Sequence, residues 1–255
     1  MIRRLLQPTP ELLNDPSPRL IGATAAITLL SLALYGFSVG YWRSAEMGLY
    51  VAVKMPLLIA CTLICNASLN GMFGLLLGGL GFRQSWLALL SCFATASLIL
   101  GSLAPITFLM ALQFPDSSSP EAITAHSVHQ LFHIVLIAIA GIAGTLSLHR
   151  ILKATCPTPL IARATLISWL AGNGFLGAQF SWIFRPFFGQ PRLEVTFLRP
   201  HPMQGSFYED VLKAFHRLTG FGGVLVDTCL ILFVICVSFL AYRLLRRLNR
   251  KQPSS

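Results

Sequence analysis

Residues 51–76 read VAVKMPLLIACTLICNASLNGMFGLL, a run with one charged side chain, Lys54, among apolar and small residues. About 20 mostly apolar residues suffice to cross the hydrocarbon layer of a bilayer. Inside that layer no water pairs with backbone N–H and C=O groups, so a crossing segment satisfies them within a helix or a closed barrel. The run shows no strand-like alternation, and a helix is the reading. Five further runs share the pattern, at 20–40, 86–112, 128–148, 161–184 and 223–245. The expected fold is an all-α integral membrane protein: a bundle of about six transmembrane helices plus one short extracytoplasmic amphipathic helix.

Composition points the same way. Soluble domains carry about 25% charged residues, whereas this 255-residue chain carries 11% and is 55% apolar, with a mean hydropathy of +0.69. Too few charges remain to cover a water-facing surface. The net charge of +10 comes from nineteen Lys and Arg against nine Asp and Glu. In a soluble protein that excess suggests nucleic acid; here most of it reads as topology, and no nucleic-acid partner is expected. The six cysteines form no CxxC pair, and all but Cys156 fall inside apolar runs, as buried small residues do. The N-terminal MIRRLLQPTPELLNDPSPRL has no small-residue cleavage site after a short apolar core, so the first span is expected to be an uncleaved anchor.

Lys and Arg concentrate in cytoplasmic loops. With the N-terminus inside, Arg3, Arg4, Arg19, Arg83, Arg150, Lys153, Arg163, Arg243, Arg246, Arg247, Arg250 and Lys251 fall inside. Arg43, Lys54, Arg185, Arg192, Arg199, Lys213 and Arg217 fall outside. The organisation expected is a cytoplasmic segment 1–19, a five-span bundle 20–184, an outer aromatic-basic segment 185–222, a sixth span 223–245 and a basic cytoplasmic tail 246–255. Both termini are then cytoplasmic, and a bacterial cytoplasmic membrane is the expected location. Two GxxxG patterns, Gly36 to Gly40 and Gly74 to Gly78, permit close helix contact.

Ionisable groups within spans are costly and mark candidate sites. Lys54 and Asp227 each lie about one turn inside the outer end of a span, and Arg185 ends the fifth span at the same level. These three form a candidate intramembrane charge cluster; independent snorkelling of Lys54 and Arg185 to headgroups is the alternative. Asn66, Asn70 and Asn173 match in depth in the inner half and, with Gln179, are candidate interhelical polar contacts. His126, His129 and His133 recur at i, i+3 and i+7 and share a helix face. They are the candidate metal set. No carboxylate or cysteine lies near them in sequence, so a polar interfacial face is expected and no metal or other cofactor is.

The segment SWIFRPFFGQPRLEVTFLRP, 181–200, interleaves arginines with aromatics and prolines. Trp182, Phe187 and Phe188, with Arg192, Arg199, Phe207 and Phe215, are expected to form an outer interface surface, and Trp182, Phe184, Phe187 and Phe188 an aromatic belt at the same level. Beyond it, Ser206 and Glu209 form a capping box that opens an amphipathic helix with Phe207, Val211, Phe215 and Leu218 on one face.

ALYGFSVG (33–40), AVKMPLL (52–58), SLNGMFGLLLG (68–78), SLAPITF (102–108) and WIFRPFFGQPRLEVTFLRP (182–200) occur in this order. In these pieces the chain resembles an uncharacterised bacterial family of Yip-like polytopic membrane proteins. The resemblance implies a multi-pass membrane protein without an assigned reaction.

HExxH, GxSxG, P-loop and GxGxxG motifs are all missing, and Asp227 is the one carboxylate within a span, which points away from an enzyme. The leading expectation is a non-enzymatic component that organises lipid or a partner membrane protein, or a second copy of itself. A small transporter or channel using Lys54, Asn66, Asn173, Gln179 and Asp227 is the first alternative. An enzyme acting on lipid-linked substrates is the second.

Overall fold

The structure is a computed structural model that describes residues 18–209. Five helices account for most of these residues: α1 Pro18–Tyr41, α2 Ala45–Gly78, α3 Phe82–Gln113, α4 Ala122–Thr155 and α5 Pro159–Ile183. Among the described residues there is no strand. The first four helices are long and apolar enough to cross a membrane. This is the architecture of an integral membrane protein. The fifth expected span corresponds to α5, which carries Arg163, Asn173 and Gln179 in its 25 residues. The expected sixth span, with Asp227, lies outside the described residues, as do Phe215 and most of the amphipathic helix.

Local chemistry sets the helix ends. Ser44 caps α2, its hydroxyl accepting from the Met47 N–H at 3.1 Å. Gly79 ends the same helix in the left-handed region, at φ 64°, a conformation that costs glycine nothing. Thr158 caps α5 through the Ile161 N–H at 3.3 Å, with Pro159 in the first turn, where its missing N–H is no loss. α2 and α4 have 34 residues each, about 51 Å at 1.5 Å per residue. That exceeds the roughly 30 Å hydrocarbon layer, so both helices run on into the headgroup region or tilt.

α3 is the central helix. Of its most apolar stretch 61% is buried, against 28% in α2 and in α4. α1 packs on α2 and α3, α5 packs mainly on α2, and α4 packs on α3 and α5. Leu30 and Leu34 on α1, and Leu131, Ile139 and Ile142 on α4, face outward. In a bilayer such faces meet lipid tails, so exposure carries no penalty.

Both GxxxG patterns lie at helix contacts. A Cβ on Gly36 would stand 2.6 Å from the Val51 carbonyl oxygen, and one on Gly40 would stand 2.5 Å from that of Met47. α1 and α2 are therefore backbone to backbone at these two positions. Gly74 faces Ser85 and Trp169, and Gly78 faces Cys156 and Thr165. Chain alternation gathers turn 42–44, loop 114–121 and segment 184–204 at one end of the bundle. The Trp42 indole donates to the Pro115 carbonyl at 3.1 Å, and the Arg43 guanidinium reaches both Ser117 and Leu193 at 3.2 Å. Turns 79–81 and 156–158 lie at the opposite end.

Residues 205–209 belong to a second compact unit. There the Ser206 hydroxyl accepts from the Glu209 N–H at 3.1 Å, where a helix starts.

Candidate functional site

Segment 184–204 is tied to the bundle by a few specific side chains. Lys54 on α2 is fully buried, and its ammonium donates to the Pro186 carbonyl at 2.8 Å. The same ammonium stands 6.0 Å from the centroid of Phe187 and 5.1 Å from that of Phe197. A partly desolvated cation gains from such ring faces. Arg43, in the α1–α2 turn, donates to the Leu193 carbonyl from one Nη and to the Ser117 hydroxyl from the other. Gly189, at φ 63°, lets the backbone pass close to Arg43; a Cβ there would lie 2.8 Å from Arg43 Cγ.

The aromatics of the segment point inward more than the belt reading expects. Phe187 and Phe188 are half-buried and pack against a core that includes Tyr35, Val39, Met47 and Val51. The physical reason is the Lys54 bond, which draws the backbone at Pro186 down onto α2. Trp182 is half-buried too; its indole donates to the Gln204 carbonyl at 3.3 Å, and the Arg185 guanidinium stacks 3.5 Å from its ring. Arg185 also donates to the Trp182 carbonyl at 2.7 Å. Arg192 is exposed and Arg199 half-exposed. In the second unit, Phe207 is exposed.

Of the charge cluster, then, Lys54 meets the residue next to Arg185, and Asp227 lies outside the described residues. A cleft of about 340 Å³ opens beside this junction, lined by Arg43, Met47, Gln190, Glu194, Thr196 and Arg199, among others.

Beneath the segment lies a buried polar cluster. His129 and His133 are fully buried on α4, their rings 4.4 Å apart edge to face. His129 Nε2 is 2.9 Å from the Val39 carbonyl. A carbonyl only accepts, so Nε2 carries the proton. His133 Nδ1 pairs with the Tyr35 hydroxyl at 2.7 Å, and Ser38 pairs with Thr107 at 2.7 Å. Phe188 covers both imidazoles, its ring centroid 6.3 and 6.2 Å from theirs. The Trp42 ring lies 5.7 Å from His126 and 5.6 Å from His129. His133 Nε2 and His126 Nδ1 are buried without a partner. Among the described residues no three His, Cys, Asp or Glu side chains are placed to hold a metal ion. His129 and His133 are fully buried and bonded to α1, while His126, one turn nearer the helix start, is half-buried, and Trp42 lies beside both His126 and His129.

A second polar cluster joins α2 to α5. Asn173 Nδ2 donates to Asn70 Oδ1 at 3.2 Å and to the Trp169 carbonyl at 2.8 Å, and the Trp169 indole donates to the Asn70 carbonyl at 2.8 Å. Asn66 Nδ2 lies 3.5 Å from Asn70 Oδ1. The structure thus brings Asn66, Asn70 and Asn173 together and leaves Gln179 out, its Oε1 unpaired. Asn66 Oδ1 is buried and unpaired as well.

Sequence reasoning passed over Tyr35, Ser38, Trp42, Arg43 and Trp169. The first three had a visible signal: with Val39 they form an i, i+3, i+4, i+7 stripe that runs from the first span into the turn after it, and all four are buried. Arg43 had none, because its partners lie 74 and 150 residues away. No known protein family, no characterised protein and no solved structure matches this chain.

Proposed function

We propose that this membrane protein organises lipid or a partner membrane protein through the face formed by segment 184–204. The observation that carries the reading is the pinning of that segment. Lys54 holds Pro186, Arg43 holds Leu193, and Phe188 seats on the His129–His133 pair. Ordering a chain segment costs about 1–2 kcal/mol per residue in backbone entropy. A segment fixed in advance presents its arginines and aromatics without meeting that cost at binding. The Lys and Arg pattern of the whole sequence supports cytoplasmic termini, which places this face outside the cytoplasm. Kinship with the Yip-like bacterial family and a bacterial cytoplasmic membrane are parts of the same proposal.

The test is purification of the wild-type chain and Lys54→Ala from native membranes in mild detergent, with protein and lipid mass spectrometry on one sample. A partner or a tightly held lipid that co-purifies with wild type and is lost from the variant is the expected result. A lone, lipid-free monomer removes the reading.

Unpaired buried atoms at two depths, His133 Nε2 and Asn66 Oδ1, favour a second reading as a small transporter. Solute or proton flux in liposomes that is unchanged by Asn66→Leu and His133→Phe excludes it.

A further inference from the structure

We infer that the cleft between the α1–α2 turn and segment 184–204 binds a phosphate-bearing anion through Arg43 and Arg199, an assignment that rests on the reading of this face as a lipid or partner surface. The cleft, about 340 Å³, falls within the size range of small-ligand sites. Arg43 and Arg199 line it, and Gln190 and Thr196 add donors to the wall. Behind the Pro186 wall the Lys54 ammonium adds a buried positive charge. Glu194, also on the wall, and Asp116, near Arg43, are the opposing charges.

Two details favour a ligand over a merely structural role. The Nη atoms of Arg43 are held by Ser117 and Leu193, while its Nε–H is buried without a partner. The Gly189 backbone packs on the stem of Arg43, where an added Cβ would lie 2.8 Å from Cγ, so the guanidinium is held in place at the cleft wall. Guanidinium groups are the preferred partners of phosphate oxygens, through charge-assisted bonds in fork geometry. The cleft lies where α1 ends and α2 begins, both apolar enough to cross a membrane, so a headgroup phosphate at the bilayer boundary reaches it directly. A soluble phosphate ester offers the same chemistry.

Native mass spectrometry of the full chain, in detergent doped with equal phosphatidylglycerol and phosphatidylcholine, tests this. Wild type retains phosphatidylglycerol selectively. Arg199→Gln weakens that retention about tenfold or more, the loss expected for one charge-assisted pair. Glu194→Gln strengthens it, and Arg150→Gln, exposed at the opposite end of the bundle, leaves it unchanged. Arg199→Lys, which keeps the charge, retains part of the binding, and equal melting of all variants shows that the fold is intact. Equal loss in Arg150→Gln and Arg199→Gln means diffuse attraction and overturns the site, as does no loss in Arg199→Gln. If inorganic phosphate displaces the lipid with the same dependence on Arg199, the source is soluble phosphate; if it does not, the source is the headgroup. Failure here leaves the wider reading standing, because co-purification with Lys54 intact is read independently of Arg199.

Discussion

Lys54 is a charge placed where hydrocarbon should be, and its surroundings explain how it survives there. Its ammonium has one carbonyl at hydrogen-bond distance and two aromatic faces nearby, and the side chain is wholly buried. Lys54→Ala removes the donor and leaves a void, at a cost of about 3 kcal/mol. Lys54→Met keeps the volume and loses the bond to Pro186 and the cation's contact with the two rings, so it costs about half as much. Thermal unfolding in detergent measures both. Trypsin provides a local readout, because release of the segment speeds cleavage after Arg192, which precedes Leu193, in the alanine variant. Equal melting of all three proteins would remove Lys54 from the account of this face. Asp116 makes a second residue-level prediction, this time in water. The hydroxyl of Ser118 donates to its carboxylate at 2.6 Å and the Ser118 N–H at 2.8 Å. These bonds, with the Arg43 charge adding a smaller effect, hold the carboxyl below its ordinary 3.8. A depressed carboxylate stabilises the loop above its ordinary value, and the effect fades as pH falls through the lowered one. Protection of the Ser118 amide from exchange is therefore constant near neutrality and declines in acid below about 3.8. Asp116→Asn abolishes that decline.

At the scale of elements, small residues decide which helix meets which. Gly40 faces backbone atoms of Met47 and Gly48 within 3 Å of an added Cβ, and backbone cannot move aside as a flexible side chain can. Gly40→Ala forces α1 from α2 and costs about 2 kcal/mol or more. Gly22, on the same helix, has nothing within 4 Å of an added Cβ. Gly22→Ala is thus neutral or slightly stabilising, since alanine is the better helix former. Melting curves of the two variants separate packing from propensity, and a Gly40→Ala protein as stable as wild type would refute the close contact. The existence of these helices was legible in the sequence, because a long apolar run has one solution in hydrocarbon. Their ends were less legible. Hydropathy starts the second span at 51, whereas α2 begins at Ala45, capped by Ser44 and continuing through polar residues such as Glu46. Helix-forming polar residues outside the hydrocarbon extend a helix without extending its apolar signal. The inward turn of Phe187 and Phe188 was not legible at all. An aromatic next to an arginine reads as an interfacial anchor until the bond from Lys54 to Pro186, 132 residues away in sequence, is known.

For the whole molecule, orientation turns on where the basic residues lie. Within residues 18–209, five basic residues belong to the end that carries segment 184–204: Arg43, Lys54, Arg185, Arg192 and Arg199. Five belong to the other end: Arg19, Arg83, Arg150, Lys153 and Arg163. The positive-inside rule is silent on such a tie. The orientation proposed above therefore hangs on Arg3 and Arg4 and on the basic cluster from Arg243 to Lys251. Exposed loop residues convert this into a measurement. Pro120 and Gln190 lie at the segment end, and Pro157 lies at the other. In a chain with its six cysteines replaced, each of the three is changed to cysteine and labelled in intact cells with a membrane-impermeant maleimide. Cytoplasmic termini require labelling at 120 and 190, and labelling at 157 only after permeabilisation. The reverse pattern inverts the bundle and moves the Arg43–Arg199 cleft to the cytoplasmic side, where soluble phosphate esters reach it. Equal labelling of 120 and 157 means that α4 does not cross. Equal labelling of 157 and 190 means that α5 does not, which is the sharper test, because Arg163, Asn173 and Gln179 make α5 the most polar crossing the fold asks for.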